Sequence, residues 1–347
     1  MEWLIAFRLV MGLGLGAEIV IGYSTLAEFI PPLLRGRWIA LLAVITNSAV
    51  AVSALAGYLI IPRFGWRVTF VLAGAGALLV WHARKNMPES PRWLEAVGRL
   101  EDAELTMGRI EAEVGTALPE PKGLGRQLAV ARPVSLAILF SAHVIRRTLL
   151  GILTAVIANV ALYGFLSWLP TFLVLQRVGV TDSLRYTMWM SFGAPFGPLV
   201  AAFLADRIGR RVSLTITSIL CAGFGAAYAM ASSVPAATVA GFFLFLLMYL
   251  MATLGLVSYI PELFPTNYRL RGAGFCIAVG RLSAMLVPYA VVWAYVRGGE
   301  TLILEGLGGL LVFQAVVIAA FGIRTERRTL EELAPESGGK LSDTHAR

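Results

Sequence analysis

The chain has 347 residues, of which 58% are hydrophobic and only 14% charged, against roughly 45–50% and about 25% in soluble domains. A fold of this size cannot hide that much apolar side chain, because its surface must still face water, so a soluble globular enzyme does not fit. The formal charge of +8, from 29 Lys plus Arg and 21 Asp plus Glu, is compatible with nucleic acid, a membrane surface or the cytoplasmic loops of a membrane protein, and the placement of the charges decides.

A membrane helix needs about 20 mostly apolar residues to cross the hydrocarbon core. In chain order nine stretches meet that length: 3–29, 38–61, 66–83, 148–175, 186–205, 212–232, 235–260, 272–296 and 301–323. The expected fold class is an all-α polytopic membrane protein with about nine transmembrane helices, three plus six. Residues 134–145 form an apolar run of only 12 residues, which suits an interfacial segment. The chain divides into a three-span block over 1–83, a polar linker over 84–147, a six-span block over 148–323 and a charged tail over 324–347 that reads as disordered. Within the linker, Ser90 before Pro91 is an N-cap with Pro at the first helical position. Trp93, Val97, Leu100 and Glu104 then recur at helical spacing and predict one amphipathic helix on the inner membrane surface.

Lys and Arg accumulate on cytoplasmic loops. One set of connectors, with the linker and tail, holds 22 of them and the other set holds 5. The basic excess is therefore loop charge rather than a nucleic-acid surface. An odd number of spans then puts the start of the chain outside and its C-terminus in the cytoplasm.

A charge at the centre of a span costs about 2.5–3.5 kcal/mol on insertion scales and invites a functional reading. Glu18 lies near the middle of span 3–29, Arg281 near the middle of span 272–296, and Arg8 nearer the outer end of the first span. Two readings stay open. Glu18 and Arg281 pair across the bundle, or Arg281 receives an anionic substrate group while Glu18 carries a proton. In the second case, an acid whose Arg partner is drawn off by the substrate anion gains affinity for a proton, a physical route to symport. On the fourth span Asn159, Tyr163 and Ser167 stripe one face beside Trp168, reading either as helix–helix hydrogen bonding or as a cavity lining. Pro170, Pro195 and Pro198 break helix regularity. Gly12, Gly14 and Gly16 lack the βαβ context of a dinucleotide site and read as close helix packing. Cys221 and Cys276 sit in apolar runs without metal-ligand spacing, and neither a metal, a cofactor nor a catalytic set is expected.

The connectors assigned to the inner side carry the most specific motifs: AEFIPPLLRGR over 27–37, PESPRWL over 88–94, AFLADRIGRR over 202–211 and PELFPTNYRLRG over 261–272. Together they resemble the major facilitator superfamily, with the likeness running from residue 1 to about 323. The resemblance implies two six-helix halves joined by a long cytoplasmic loop, so the first three helices are expected to be absent here. It also implies a cytoplasmic gate in which Asp206, Arg207 and Arg211 meet Glu262 and Arg271, while Glu28 and Arg37 meet Glu89 and Arg92. Glu18, the RLRGAGF turn and Arg281 look like the metabolite:proton symporters, including aromatic-acid and niacin carriers, more than like hexose carriers. An intramembrane Arg also suits a carboxylate better than a sugar.

The function expected is secondary transport of a small organic acid, anionic at the site, coupled to protons by alternating access in the plasma or inner membrane. Arg281, Tyr163, Asn159, Trp168 and Arg8 are its candidate substrate contacts and Glu18 its proton carrier. The partners are the substrate, protons and lipid, without nucleic acid, and a monomer is expected. Rival readings are a sugar or other neutral-metabolite carrier of the same superfamily, a facilitator without proton coupling, and a truncated, non-transporting remnant or interaction protein.

Overall fold

The computed structural model describes residues 2–30, 32–85, 89–96, 98–114, 135–166, 168–175, 177–265 and 268–323. The tail read as disordered lies outside them. The chain forms two compact units, one of Met1–Thr46 with Arg63–Ala129 and one of Asn47–Pro62 with Val130–Arg347.

In the first unit, long apolar runs give α1 (Glu2–Phe29), α2 (Pro32–Phe64, of which 47–62 counts with the second unit, with Pro62 in its last turn) and α3 (Trp66–Arg84). Gly12 and Gly14 of the Gly-x-Gly series in α1 do not serve close packing. A Cβ on Gly12 or Gly14 would have no neighbour within 4 Å, so small size there brings no other described element closer.

Where the sequence predicted one linker helix there are two, α4 (Pro91–Ala96) and α5 (Leu100–Val114). Gly98 separates them at φ +81°. The Arg99 N–H donates to the Leu94 carbonyl at 2.9 Å and the Gly98 N–H to the Glu95 carbonyl at 3.0 Å, a Schellman ending that needs a left-handed residue. Leu94 and Ala103 are buried, one from each helix. Of the stripe, Trp93 thus belongs to α4 and Leu100 and Glu104 to α5, two helices packed on each other, while Val97 lies outside the described residues.

The second unit opens with a 3-10 turn, Leu136–Phe140, in which the Ser135 hydroxyl accepts from the Ala137 N–H. Then α6 (Ile145–Ala161) begins three residues before the expected span, with Arg146 and Arg147 in its first turn. It runs into a π-helical turn, Leu162–Leu166, and a short α7 (Leu169–Leu175). Next come α8 (Val180–Ser191) and α9 (Phe196–Arg207), interrupted around Pro195 as expected, and α10 (Arg210–Ala229). Last are α11 (Val234–Ala252), which continues through a second π-helical stretch, Thr253–Tyr259, into α12 (Ile260–Glu262), and the 53-residue α13 (Arg269–Phe321).

A straight helix of that length would span about 80 Å at 1.5 Å per residue, far more than a hydrocarbon core of about 30 Å. Gly299, at φ +67° and ψ −158°, breaks it. Cys276 near its start lies against the Thr148 carbonyl, and Phe321 at its end accepts a bond from Arg146, so both ends return to the first turn of α6. Among the described residues seven helices are long and apolar enough to cross a membrane, with α13 counted once.

The core of this unit sits between α6, α10, α11 and α13 and includes the fully buried Ala155, Leu214, Met251, Tyr259, Cys276 and Ile318. Helices come close where a side chain is missing. A Cβ on Gly280 of α13 would stand 2.8 Å from the Ala155 Cβ and carbonyl oxygen of α6, and one on Gly193 would fall on the Phe242 carbonyl of α11. Three buried hydroxyls are satisfied within their own helices: Thr154 donates to Leu150, Thr217 to Ser213 and Ser218 to Leu214. In hydrocarbon there is no water to take those bonds.

Candidate functional site

The Gly280–Ala155 approach brings α13 against α6, and the next residue, Arg281, reaches along that contact. Its Nη1 donates to the Tyr163 hydroxyl at 2.8 Å, and its side chain is exposed. Tyr163 stands in the π-helical turn, 40% exposed. Such a turn redirects side chains and frees backbone carbonyls within an otherwise regular helix. A guanidinium has five N–H donors. One bond to a phenol leaves most of them to face a ligand, and a carboxylate accepts two such donors side by side.

Trp168 follows Tyr163 along the same segment. It packs with Phe172, Val287, Val291 and Ile303 in a small apolar cluster, where Val287 and Val291 lie on the helix that carries Arg281. Asn159 differs. It is 1% exposed, and its Nδ2 donates to the Ala155 carbonyl at 2.8 Å, one turn back on its own helix. Four residues along the same face, Asn159 is therefore core and Tyr163 is surface. Ser167 of that stripe lies outside the described residues.

The other candidates sit in the first unit. Glu18 does not stand alone: Arg84, in the last turn of α3, grips it with Nη2 at 2.6 Å from Oε1 and Nη1 at 2.8 Å from Oε2. Both side chains are close to half exposed, 48% and 43%. The sequence assigned Arg84 to the polar linker and gave Glu18 no partner from it. Arg8 lines a shallow cavity of about 280 Å³ with Phe7, Met11, Trp66, Arg67 and Phe70.

At the Arg-rich end of the second unit the structure supplies a partner that the expected gate left out. Arg210 Nε stands 2.9 Å from Glu262 Oε1, the two side chains only 24% and 26% exposed. The expectation paired Glu262 with Arg207 and Arg211. Gly209, at φ +88°, turns the chain so that Arg210 opens α10 facing α12, while Arg207 and Arg271 are exposed. Arg211 instead donates to the Ile318 carbonyl at 3.1 Å and to the Ala319 carbonyl. Arg146 donates to Phe321 at 2.7 Å, Arg147 to Leu263 at 3.2 Å and Arg269 to Phe264 at 3.2 Å. Helix C-termini leave carbonyls without partners and carry partial negative charge, and these guanidiniums cap the ends of α12 and α13. Glu89 is exposed, and the side chains of Glu28, Arg37, Arg92 and Asp206 lie outside the described residues.

This arrangement has the parts of a carrier: a cation with spare donors on an apolar helix, held by a half-exposed tyrosine, and charged clamps at helix ends. The sugar (and other) transporter family matches residues 1–336. The chain is 35% identical over 341 residues to the inner membrane metabolite transport protein YdjE of Escherichia coli (strain K12), covering 96% of this chain and 75% of that protein. It is 32% identical over 335 residues to the niacin transporter NiaP of Acinetobacter baylyi, covering 96% and 76%. Among solved structures, a D-xylose-proton symporter superposes with a TM-score of 0.66 at 18% identity over 93% of this chain and 72% of that one, a likeness of fold alone. The chain is a membrane protein of the sugar (and other) transporter family within the major facilitator superfamily, a family of carriers and not of enzymes.

Proposed function

We propose that the protein carries a small organic acid across the plasma or inner membrane, coupled to protons, by rocking its helix blocks about a midplane site. The observation that carries this reading is the Arg281 guanidinium, exposed on an apolar helix and held by the Tyr163 hydroxyl. A carboxylate takes the remaining donors, and Trp168 offers its ring to an aromatic or heteroaromatic body. Asn159 keeps that face of α6 in register from inside the core, and Arg8 provides a second cation in the first unit. Glu18 takes the proton when Arg84 lets go. The niacin carrier among the relatives is consistent with such a substrate.

Counting α1 and both arms of α13 brings the seven apolar helices to nine spans. The matched share of each relative, 75% and 76%, is close to the share that nine spans make of twelve. With the 22-to-5 distribution of Lys and Arg, nine spans put the C-terminus, the Arg210–Glu262 pair and the helix-end caps in the cytoplasm. There each block carries its own gate charges, Glu28 and Arg37 with Glu89 and Arg92 in one, and Asp206, Arg207, Arg211 and Arg271 with the Arg210–Glu262 pair in the other. The substrate leaves as a monomeric carrier opens this side.

The test is uptake of labelled nicotinate or benzoate by the full chain in proteoliposomes with an imposed pH gradient. Arg281→Gln lowers kcat/KM about 30-fold or more, since a charged hydrogen bond contributes roughly 2 kcal/mol, and Arg281→Lys recovers part of the loss. Uptake by R281Q equal to the unaltered protein, or competition by hexoses and not by carboxylates, overturns the reading in favour of a neutral substrate.

A further inference from the structure

Beside the first turns of α6 lies a groove that transport of a soluble substrate does not use. It has a volume of about 600 Å³ and is walled on one side by Ile145, Leu149, Ile152, Leu153 and Val156 of α6 and on the other by Phe313, Val317 and Phe321 of α13. The second wall is one helix face, with residues four apart stacking over one another. Leu149, Phe313 and Phe321 are more than half exposed. Every lining residue but one is apolar. The exception, Arg146, stands at the end where α6 begins and α13 finishes, its Nη2 on the Phe321 carbonyl at 2.7 Å.

The dimensions and the charge identify the occupant. From Ile145 to Val156 the wall rises about 16 Å at 1.5 Å per residue, close to half of a hydrocarbon core of about 30 Å. The groove is thus one leaflet deep, starting at a helix end and running toward the midplane. A second guanidinium is at that end: Arg211 bonds the carbonyls of Ile318 and Ala319, and both it and Arg146 act electrostatically on the Tyr259 hydroxyl. A guanidinium with one donor spent retains four. Paired cations above an apolar trench match a phosphodiester joined to an acyl chain, and basic pockets between membrane helices bind such head groups.

The geometry points to a site for one anionic phospholipid, with an acyl chain along the groove between α6 and the second arm of α13 and the phosphate at Arg146 and Arg211. A lipid there braces the end of α13 against α6 while leaving Arg281 untouched, so the inference stands apart from the identity of the substrate.

Native mass spectrometry of the purified full chain, with phosphatidylglycerol or phosphatidylcholine added at equal concentration, tests it. One phosphatidylglycerol is expected to stay bound at energies that strip phosphatidylcholine, with at least about fivefold higher occupancy. Arg146→Gln brings the two lipids to within about twofold of each other. Val317→Trp, which fills the trench, removes both, and Arg147→Gln, whose partner is the Leu263 carbonyl outside the groove, retains the preference. Circular dichroism and a monodisperse elution establish that each variant is folded. Equal retention of the two lipids by the unaltered protein overturns the proposal without any variant. So does an unchanged preference in R146Q, or a lipid-free species of twice the chain mass, which would make the groove a contact between copies.

Discussion

Two helices of equal apolarity behave differently. The most apolar 18-residue stretches of Trp38–Phe64, which runs through both units, and of Ile145–Val174, which lies in the second, share a mean hydropathy of 2.1, yet 11% of the one and 56% of the other is buried. The third helix, Trp66–Arg84, buries nothing at all. Apolarity decides that a segment can live in a bilayer, and says little about whether it packs on another helix, because lipid tails are as apolar as leucine. What the second unit adds is a set of small residues placed at helix contacts. Gly280 lies on Ala155, and Gly193 lies on the Phe242 carbonyl, whereas Gly12, Gly14, Gly74 and Gly76 face open space. Close backbone approach and van der Waals contact hold membrane helices together, so a glycine is structural where a neighbour's backbone lies on it and incidental where nothing does, as at Gly14 in the first unit and Gly223 in the second.

Gly193→Ala is the hardest blow to that contrast. Its new methyl group meets the backbone of α11, which cannot move aside as a side chain can, so a loss of about 3 kcal/mol is expected, at the upper end of overpacking costs. A fall in the melting temperature in detergent, followed by tryptophan fluorescence, measures it. Gly280→Ala should cost about 1–3 kcal/mol by the same route and also slow transport, because it pushes α13 off α6 beside Arg281. The charged pairs sharpen the comparison further. Glu262→Gln removes the partner of a largely shielded Arg210 and should change substrate exchange several-fold. Glu18→Gln opposite the half-exposed Arg84 should shift stability by no more than about 1 kcal/mol while abolishing gradient-driven uptake and sparing exchange. Gly14→Ala should be neutral or stabilising by up to about 1 kcal/mol, as alanine outranks glycine in a helix interior. A G14A variant as damaged as G193A would dissolve the distinction between the units.

Much of the architecture was legible in composition and punctuation. Runs of about 20 apolar residues located the helices, Pro170 and Pro195 marked interruptions, and the intramembrane Arg281 declared itself by its cost. The linker was misread at Gly98, because the periodicity of 93, 97, 100 and 104 is continuous in number although the backbone turns between them. Partnerships were harder. Arg281 was visible but its Tyr163 bond was not, since the π-helical turn alters which side chains face outward. Glu18 was assigned to the middle of a span, and its partner Arg84 was hidden in plain sight at the end of α3. Arg210 was passed over for its neighbours because only the left-handed Gly209 says which of three arginines turns toward Glu262. Spacing along a chain fixes faces of a regular helix, and it loses that power at each irregular residue.

The fold-back of α13 bears on how the chain is made as well as on how it works. Its arms meet at one non-helical residue, Gly299, so there is no loop to take up slack. Arg297, stacked on Trp293 at 4.2 Å, and Glu300 flank that joint and favour the membrane–water boundary. The second arm therefore has to follow the first into the bilayer as a single hairpin, and a bulkier residue at Gly299 would register first as a failure of membrane insertion, before any carrier existed to be assayed.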